Sequence, residues 1–398
     1  MPSDSQIPIA SQAASKRFAT WLAAFYSTLF GASGAHLPFF TVWLKAIGLD
    51  ASWIGIITAV PSVTRFTVLP LVTALAESRQ ALRAGIIVTG FATALGFCVL
   101  GTQQQPLLVL LVYAAMCCLW TPMVPLTDAY ALRGVARYGL NYGPLRLWGS
   151  AAFVAGALLC GVLVNVIAAR HLIWVIAAMA ALNALVGLGL PPLEGVKPVT
   201  AGSRGARELL GDRGFLAIIV TSALIQSSHS AYYIFASIAW QQSGFGGLTI
   251  AGLWALGVLA EILLFALSPR FTLPSTVLVV IAALAAVARW VISAQDPPIA
   301  VLGFVQLVHG LTFGLTQVGI MGLMVHHVPP HMVARGQGYL AACSGIITAI
   351  TSILCGVVYA RYGQGVYYMM AAMAASGGLV MWMARSRLDH PHRAASGG

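Results

Sequence analysis

Acidic side chains are scarce in this chain: ten Asp and Glu stand in 398 residues, and only 8% of positions are charged. Soluble domains carry about a quarter charged residues, so an ordinary soluble globular protein is excluded. There is no acidic cluster fit for a metal, no P-loop, no G-x-S-x-G elbow and no H-E-x-x-H pair. ATP-driven pumping by this chain alone is therefore not expected, an enzyme embedded in a bilayer is the remotest reading, and no cofactor is implied. The six cysteines, Cys98, Cys117, Cys118, Cys160, Cys343 and Cys355, follow no zinc spacing and read as small hydrophobes. No cleavable signal peptide is expected. The first 18 residues are polar and end in Lys16-Arg17, and the apolar run after them is too long for a signal core.

Apolar residues are what the chain has in excess, 59% of it, with a mean hydropathy of +0.87. A helix of about 20 apolar residues crosses a bilayer. Twelve such runs can be marked: 19–44, 52–75, 83–101, 106–128, 144–166, 171–190, 214–240, 249–268, 274–294, 298–325, 334–360 and 364–384. The ten-residue alternation of a membrane β-barrel is absent. The expected fold is an all-α membrane protein of twelve transmembrane helices in two six-helix bundles.

The net charge of +11 raises the question of nucleic acid, but its distribution answers to topology. With both termini inside, the inner loops and helix ends collect sixteen of the 21 Lys and Arg, while the outer ones hold only Lys45, Arg170 and Arg361. That is the positive-inside bias, and it implies cytoplasmic termini; the location expected is a bacterial inner (plasma) membrane. No basic patch interleaved with aromatics supports a nucleic-acid partner. The partners expected are the lipid bilayer, a small solute and protons, with the monomer as the working unit.

The polar stretch "PPLEGVKPVTAGSRGARELLGDRG" divides the runs six and six. The chain then parses into a cytoplasmic lead over 1–18, a first bundle over 19–190, a cytoplasmic linker over 191–213, a second bundle over 214–384 and a tail over 385–398. The linker has room for a short surface helix near "ARELLG". A weak repeat supports the division. Arg146, Gly149, Ala152 and Gly156 in the fifth run echo Arg335, Gly338, Ala341 and Gly345 in the eleventh, as parallel halves require. Twelve spans, a basic central loop and a repeat point to a secondary transporter of the major facilitator type.

A charge at mid-bilayer costs about 2.5–3.5 kcal/mol even on the lenient insertion scale, so each one needs a reason. Glu261 is the only carboxylate well inside a run. Exclusion of water favours the neutral form of a carboxyl group, so Glu261 could carry a proton reversibly; the bland alternative is a structural glutamate. His229 lies in "IQSSHSAYYIF", where helical spacing puts Gln226 and Tyr233 on its face with Tyr232 adjacent. His309 has Gln306 and Phe313 on its own face. Either histidine could share a proton with Glu261 or donate to an anionic solute. Arg289 is near enough to the outer edge to snorkel, whereas Arg65 is deeper and could pair with an acid or attract an anion. His36, with Phe39, Phe40 and Trp43, gives the first run an aromatic, weakly polar face for packing or binding. Asp128 and Arg146 sit eighteen positions apart at the inner margins of two apolar runs. They could staple two helix ends, gate the pathway or meet a solute.

The segments "LPFFTVWLKAIGL", "VPLTDAYA", "YGPLRLWGS", "HSAYYIFASIAWQ" and "LWALGVLAEILLFALS" resemble the 3-phenylpropionate permease group of the major facilitator superfamily. They are spread over both halves, so the resemblance covers nearly the whole chain. That group is similar in turn to the oligosaccharide/proton symporters such as lactose permease, in which an acid on span four and an arginine on span five, at the same separation, hold the sugar. The resemblance therefore implies a substrate or gating role for Asp128 and Arg146. The chain departs from the superfamily in its loop between spans two and three, where "TALAESRQALRAG" keeps only Glu77 in place of the usual aspartate. Beyond Gly143-Pro144 at its very start, the fifth run also lacks a G-P pair such as drug/proton antiporters carry.

The reading is proton-coupled import of a small organic solute such as an aromatic carboxylate, by two bundles rocking about a midplane site. Glu261 would carry the proton with His229 and His309, and Arg146, Asp128, Gln226, Tyr233, His36 and Arg65 are the candidates for solute binding or gating. Proton-coupled efflux of amphipathic compounds is the first alternative, and a non-transporting receptor or scaffold the second.

Overall fold

The computed structural model describes residues 9–79, 81–193, 206–329 and 332–389. Lys197, Arg204 and Arg393, most of the linker, and the tail beyond Asp389 lie outside the described residues, as do the side chains of Glu77 and Arg207. Among the described residues the secondary structure is helical, with no strand.

Seventeen α-helices follow one another: α1 Ile9–Ala46, α2 Ala51–Thr67, α3 Leu69–Ser78, α4 Leu82–Gly101, α5 Pro106–Trp120, α6 Met123–Tyr138, α7 Tyr142–Leu163, α8 Leu172–Gly187, α9 Ala206–Gly211, α10 Arg213–Ser227, α11 Ser230–Gln242, α12 Gly247–Leu267, α13 Ser275–Ser293, α14 Ile299–Leu307, α15 Thr316–His327, α16 Val333–Tyr362 and α17 Val366–Asp389. Each of the twelve apolar runs falls on one helix or on a broken pair. The breaks have local causes. Pro70 stands at the second position of α3 and cannot donate to the preceding turn, and the α2–α3 pair bends by 46°. Pro122 immediately precedes α6. Between α14 and α15 the chain forms a π turn, Gly310–Leu315.

By length and hydropathy, nine stretches among the described residues can cross a membrane, or ten if the bent pair is one span. Twelve is not reached on that measure. The stretch Arg335–Asp389 holds both α16 and α17, and α1 is diluted by Ser27, Thr28, Ser33 and His36. In the lead, α1 begins at Ile9 and runs on without a break into the first apolar run. The short helix foreseen near "ARELLG" is α9.

Two compact units are formed, one by Met1–Gly48 and Thr67–Thr200, the other by Leu49–Phe66 and Ala201–Gly398. In the first, α1 packs along α7 at a separation that only glycine allows. A Cβ on Gly156 would fall 2.1 Å from the Gly31 carbonyl oxygen, and one on Gly34 2.0 Å from that of Phe153. Small residues let membrane helices approach this closely, where dispersion rather than water drives packing. In the second unit α2 lies on α16 in the same way, with a Cβ on Gly55 falling 2.6 Å from the Ser352 carbonyl oxygen. The repeat is thus partly a packing device. Gly156 and Gly345 both sit at close helix contacts, while Gly338 faces open space.

Candidate functional site

Polar side chains inside an apolar bundle must find partners, because an unpaired one loses its hydration with no return. In the second unit seven of them have found one another. Glu261 on α12 meets His309 at 2.6 Å between Oε1 and Nε2. Gly310 makes this possible: a Cβ there would lie 2.6 Å from the Ala260 carbonyl oxygen, so the backbones touch one residue away from the pair. Arg289 on α13 reaches the other ring nitrogen, Nη1 to Nδ1 of His309 at 2.7 Å. It also donates to Thr312 Oγ1 at 3.2 Å and to Gln306 Oε1 at 3.3 Å. Gln306 accepts a second bond from the Tyr232 hydroxyl at 2.9 Å, and His229 Nε2 lies 3.1 Å from Thr312 Oγ1.

The donor and acceptor inventory fixes where the protons are. A guanidinium only donates, so Nδ1 of His309 is bare and its proton is on Nε2, pointing at Glu261. His309 is therefore a neutral bridge between a buried cation and a carboxylate. His229 sets its Nδ1 against the Ile225 carbonyl at 3.1 Å, so that nitrogen carries the hydrogen and Nε2 is the acceptor facing Thr312 Oγ1, whose single proton is shared with the His309 carbonyl at 3.2 Å. The cluster is dry: Arg289 is 1% exposed and His229 0%. The Glu261 side chain, at 21%, is its most open ionisable member.

These contacts correct three expectations. Arg289 does not snorkel; it is the centre of the network, flanked by the Tyr232 and Trp290 rings at 4.7 and 4.5 Å. One signal for this was on the sequence. Ala282, Ala286 and Arg289 share a helical stripe, and small residues on one face mark where another helix comes close. Gln226 does not share a face with His229, because the helix breaks at Ser228–His229 between α10 and α11. It turns instead to Gln317, 3.5 Å away. Arg65 is exposed and pairs with no acid among the described residues, which leaves attraction of an anion as its candidate role. Tyr233 does stay beside His229, ring to ring at 6.1 Å, and Phe313 stacks on His309 as the spacing predicted, at 5.6 Å.

The first unit holds a second group. Asp128 on α6 and Arg146 on α7 do not form the expected charge pair. Asp128 Oδ1 accepts from the hydroxyls of Tyr26 at 2.6 Å and Tyr142 at 3.0 Å. The Arg146 guanidinium lies over the Phe30 ring, 3.8 Å from its centroid, with the Tyr26 ring at 5.5 Å. Gly149 makes room for this stack, since a Cβ there would meet both Arg146 Nη1 and the Phe30 ring at 2.8 Å. Tyr26 thus serves both charges at once. Sequence spacing gave no sign of it, because Tyr26 comes from α1. His36 is boxed by aromatics, with Phe40 at 4.5 Å and Trp120 at 4.4 Å between centroids and the Tyr113 hydroxyl 3.3 Å from Nε2.

The model of the MFS_1 like family matches residues 19–370. The chain is 31% identical to the "Probable 3-phenylpropionic acid transporter" of Escherichia coli (strain K12), over 89% of this chain and 94% of that one. It is 26% identical to the maltose permease of Geobacillus stearothermophilus, over 90% and 92%. Among solved structures it is similar to the nucleoside transporter NupG, with a TM-score of 0.78 at 16% identity, covering 92% of this chain and 99% of that one. It is also similar to a bacterial homologue of the human lysosomal transporter Spinster, with a TM-score of 0.71 at 13% identity over 96% and 98%. Those two structures speak to the fold alone.

Proposed function

The chain belongs to the MFS_1 like family of multi-pass membrane transporters, and from that premise we propose that it imports a small aromatic carboxylate together with a proton. One observation carries the solute half of this reading. Two tyrosine hydroxyls bond Asp128 Oδ1, while the Arg146 guanidinium lies over the Phe30 ring and pairs with no carboxylate among the described residues. A planar fork of donors beside an aromatic surface suits a carboxylate attached to a ring. The 3-phenylpropionic acid named for one relative is a solute of that chemistry. His36 and its aromatic box supply further ring-binding surface in the same unit.

Glu261 supplies the proton half. It is the counter-charge to Arg289 through His309, and its exposure leaves the second carboxyl oxygen open to take a proton. His309 positions and His229 buttresses through Thr312, so Glu261 itself is the carrier. The basic loops set the orientation, with both termini, the linker over 191–213 and the tail over 385–398 on the cytoplasmic side of a bacterial inner membrane. The halves over 19–190 and 214–384 act within one monomer.

Uptake of labelled 3-phenylpropionate into proteoliposomes, with and without an inward proton gradient, tests the reading. Accumulation above equilibrium with the gradient, lost in Glu261→Gln while solute exchange persists, is the expected result. Accumulation that survives Glu261→Gln would remove the proton assignment. No uptake under either condition would remove the aromatic carboxylate.

A further inference from the structure

A cavity of about 230 Å³ opens in the second unit, among the ends of α11, α13 and α16. Asp296, in the connection after α13, is the only charged side chain in its wall, and it pairs with no cation among the described residues. Gln364 Nε2 donates to its Oδ1 at 3.3 Å. The hydroxyls of three other wall residues have their hydrogens committed elsewhere. Ser243 Oγ donates to the Ala239 carbonyl at 3.1 Å, Ser293 Oγ to the Arg289 carbonyl at 2.9 Å, and the Tyr232 hydroxyl to Gln306 Oε1 at 2.9 Å. Each therefore offers the cavity lone pairs and no proton. Trp240, Phe245 and Tyr367 complete the wall with aromatic surface.

We propose that this cavity binds a small organic ammonium ion, a primary amine on an aromatic body, with its nitrogen at Asp296. An ammonium group only donates, and here it meets a carboxylate and hydroxyl oxygens that only accept. Aromatic rings attract a cation as well, through their quadrupole. Other occupants fit less well. A carboxylate would meet the charge of Asp296, and a sugar, whose hydroxyls both donate and accept, would find the wall short of donors. A metal ion would find one exposed carboxylate and no second charged ligand. Arg289 does not cancel the attraction. Its guanidinium stands 4.7 Å from the centroid of the Tyr232 ring, and Glu261 balances its charge through His309. Drug-sized ligands occupy about 300–1,000 Å³, so the smaller volume here limits the body to about one ring. The cavity includes neither Arg146 nor the aromatic box of His36, so this site goes beyond the import reading and stands without it. In the orientation proposed above, the connections that frame it face the outer solution, and the amine enters from there.

Calorimetric titration of the purified full chain with 2-phenylethylamine tests this, with 2-phenylethanol as the uncharged probe of matching shape. The amine is expected to bind saturably at one site, and the alcohol at least tenfold more weakly. Asp296→Asn should weaken the amine at least tenfold and leave the alcohol unchanged. That variant keeps the fold, because Asp296 has a φ of 53° and asparagine takes the left-handed region as readily as aspartate; an unchanged unfolding temperature checks it. Leu302→Trp, which fills the cavity, should abolish binding of the amine, whereas Arg146→Lys should leave it intact. Equal affinity for amine and alcohol, an amine affinity untouched by Asp296→Asn, or no saturable binding of the amine would each overturn the site. Loss of amine binding in Arg146→Lys would overturn it too, by placing the amine in the first unit. The import reading is decided separately by uptake of 3-phenylpropionate, which Asp296→Asn should leave unchanged.

Discussion

Arg289 donates to Nδ1 of His309 at 2.7 Å, and that one contact decides what His309 can do. While it lasts, the imidazole must keep its proton on Nε2 against Glu261 and cannot take another. Three groups, from α12, from α13 and from the start of the π turn after α14, therefore act as a single cation–bridge–carboxylate unit.

Breaking that unit should be costly. Removing one partner of a buried ion pair leaves an uncompensated charge, which costs about 3–5 kcal/mol. Arg289→Leu is expected to destabilise the purified protein by an amount of that order and to lower its unfolding temperature in detergent. The double variant Arg289→Leu with Glu261→Gln should recover much of the loss. Equal stability of the single and double variants would mean that the two charges are not coupled.

Among the described residues Thr312 is the only hydroxyl shared by His229 and Arg289. Thr312→Val keeps the shape and leaves His229 Nε2 without a donor, a penalty of about 1–3 kcal/mol for a buried acceptor. Thr312→Ser should be close to neutral. A thermal-unfolding series of the two variants distinguishes a lost hydrogen bond from a packing effect.

Arg146 and Asp128 should separate in a mutational scan. Arg146→Lys removes the planar fork and the stack on Phe30, so the KM for an aromatic carboxylate should rise about tenfold or more, as loss of a charge-assisted hydrogen bond implies. Asp128→Asn still offers an oxygen to Tyr26 and Tyr142, so transport and stability should change little. A KM that responds equally to both substitutions would put Asp128 in direct contact with the solute.

Gly156→Val tests the α1–α7 contact. Its side chain would have to occupy the space of the Gly31 carbonyl, 2.1 Å from the Cβ position, and overpacking of this kind costs about 1–3 kcal/mol or more. Gly338→Ala, where nothing lies within 4 Å, is the matched control and should be silent. The unfolding temperatures of the two variants are the measurement.

How far the site was legible depends on whether a signal was local. Glu261 stood out because a lone carboxylate in an apolar run is rare whatever surrounds it. The approach of His309 and Gln306 also followed from helical spacing. Gln226 was misplaced because nothing in "IQSSHSAYYIF" announces the break at Ser228–His229; no proline or glycine stands there, and the interruption is paid for by tertiary contacts. One of them is the bond from Trp290 Nε1 to Ser228 Oγ at 3.1 Å.

The sequence by itself determined that this chain is a helical membrane protein, where its apolar segments lie and which few charges need an explanation. These follow from hydrocarbon thickness and the cost of charge in it, which act on every residue without reference to neighbours. Only the tertiary structure decided that Arg289 rather than Arg65 is joined to Glu261, through His309, and that Tyr26 and Tyr142 rather than Arg146 bond Asp128. In water an apolar stripe tells a helix which side to bury, but in a bilayer the lipid-facing side is apolar as well. The rotation of each helix about its own axis is then set by close fits such as Gly310 on Ala260, and those exist only once the helices have met.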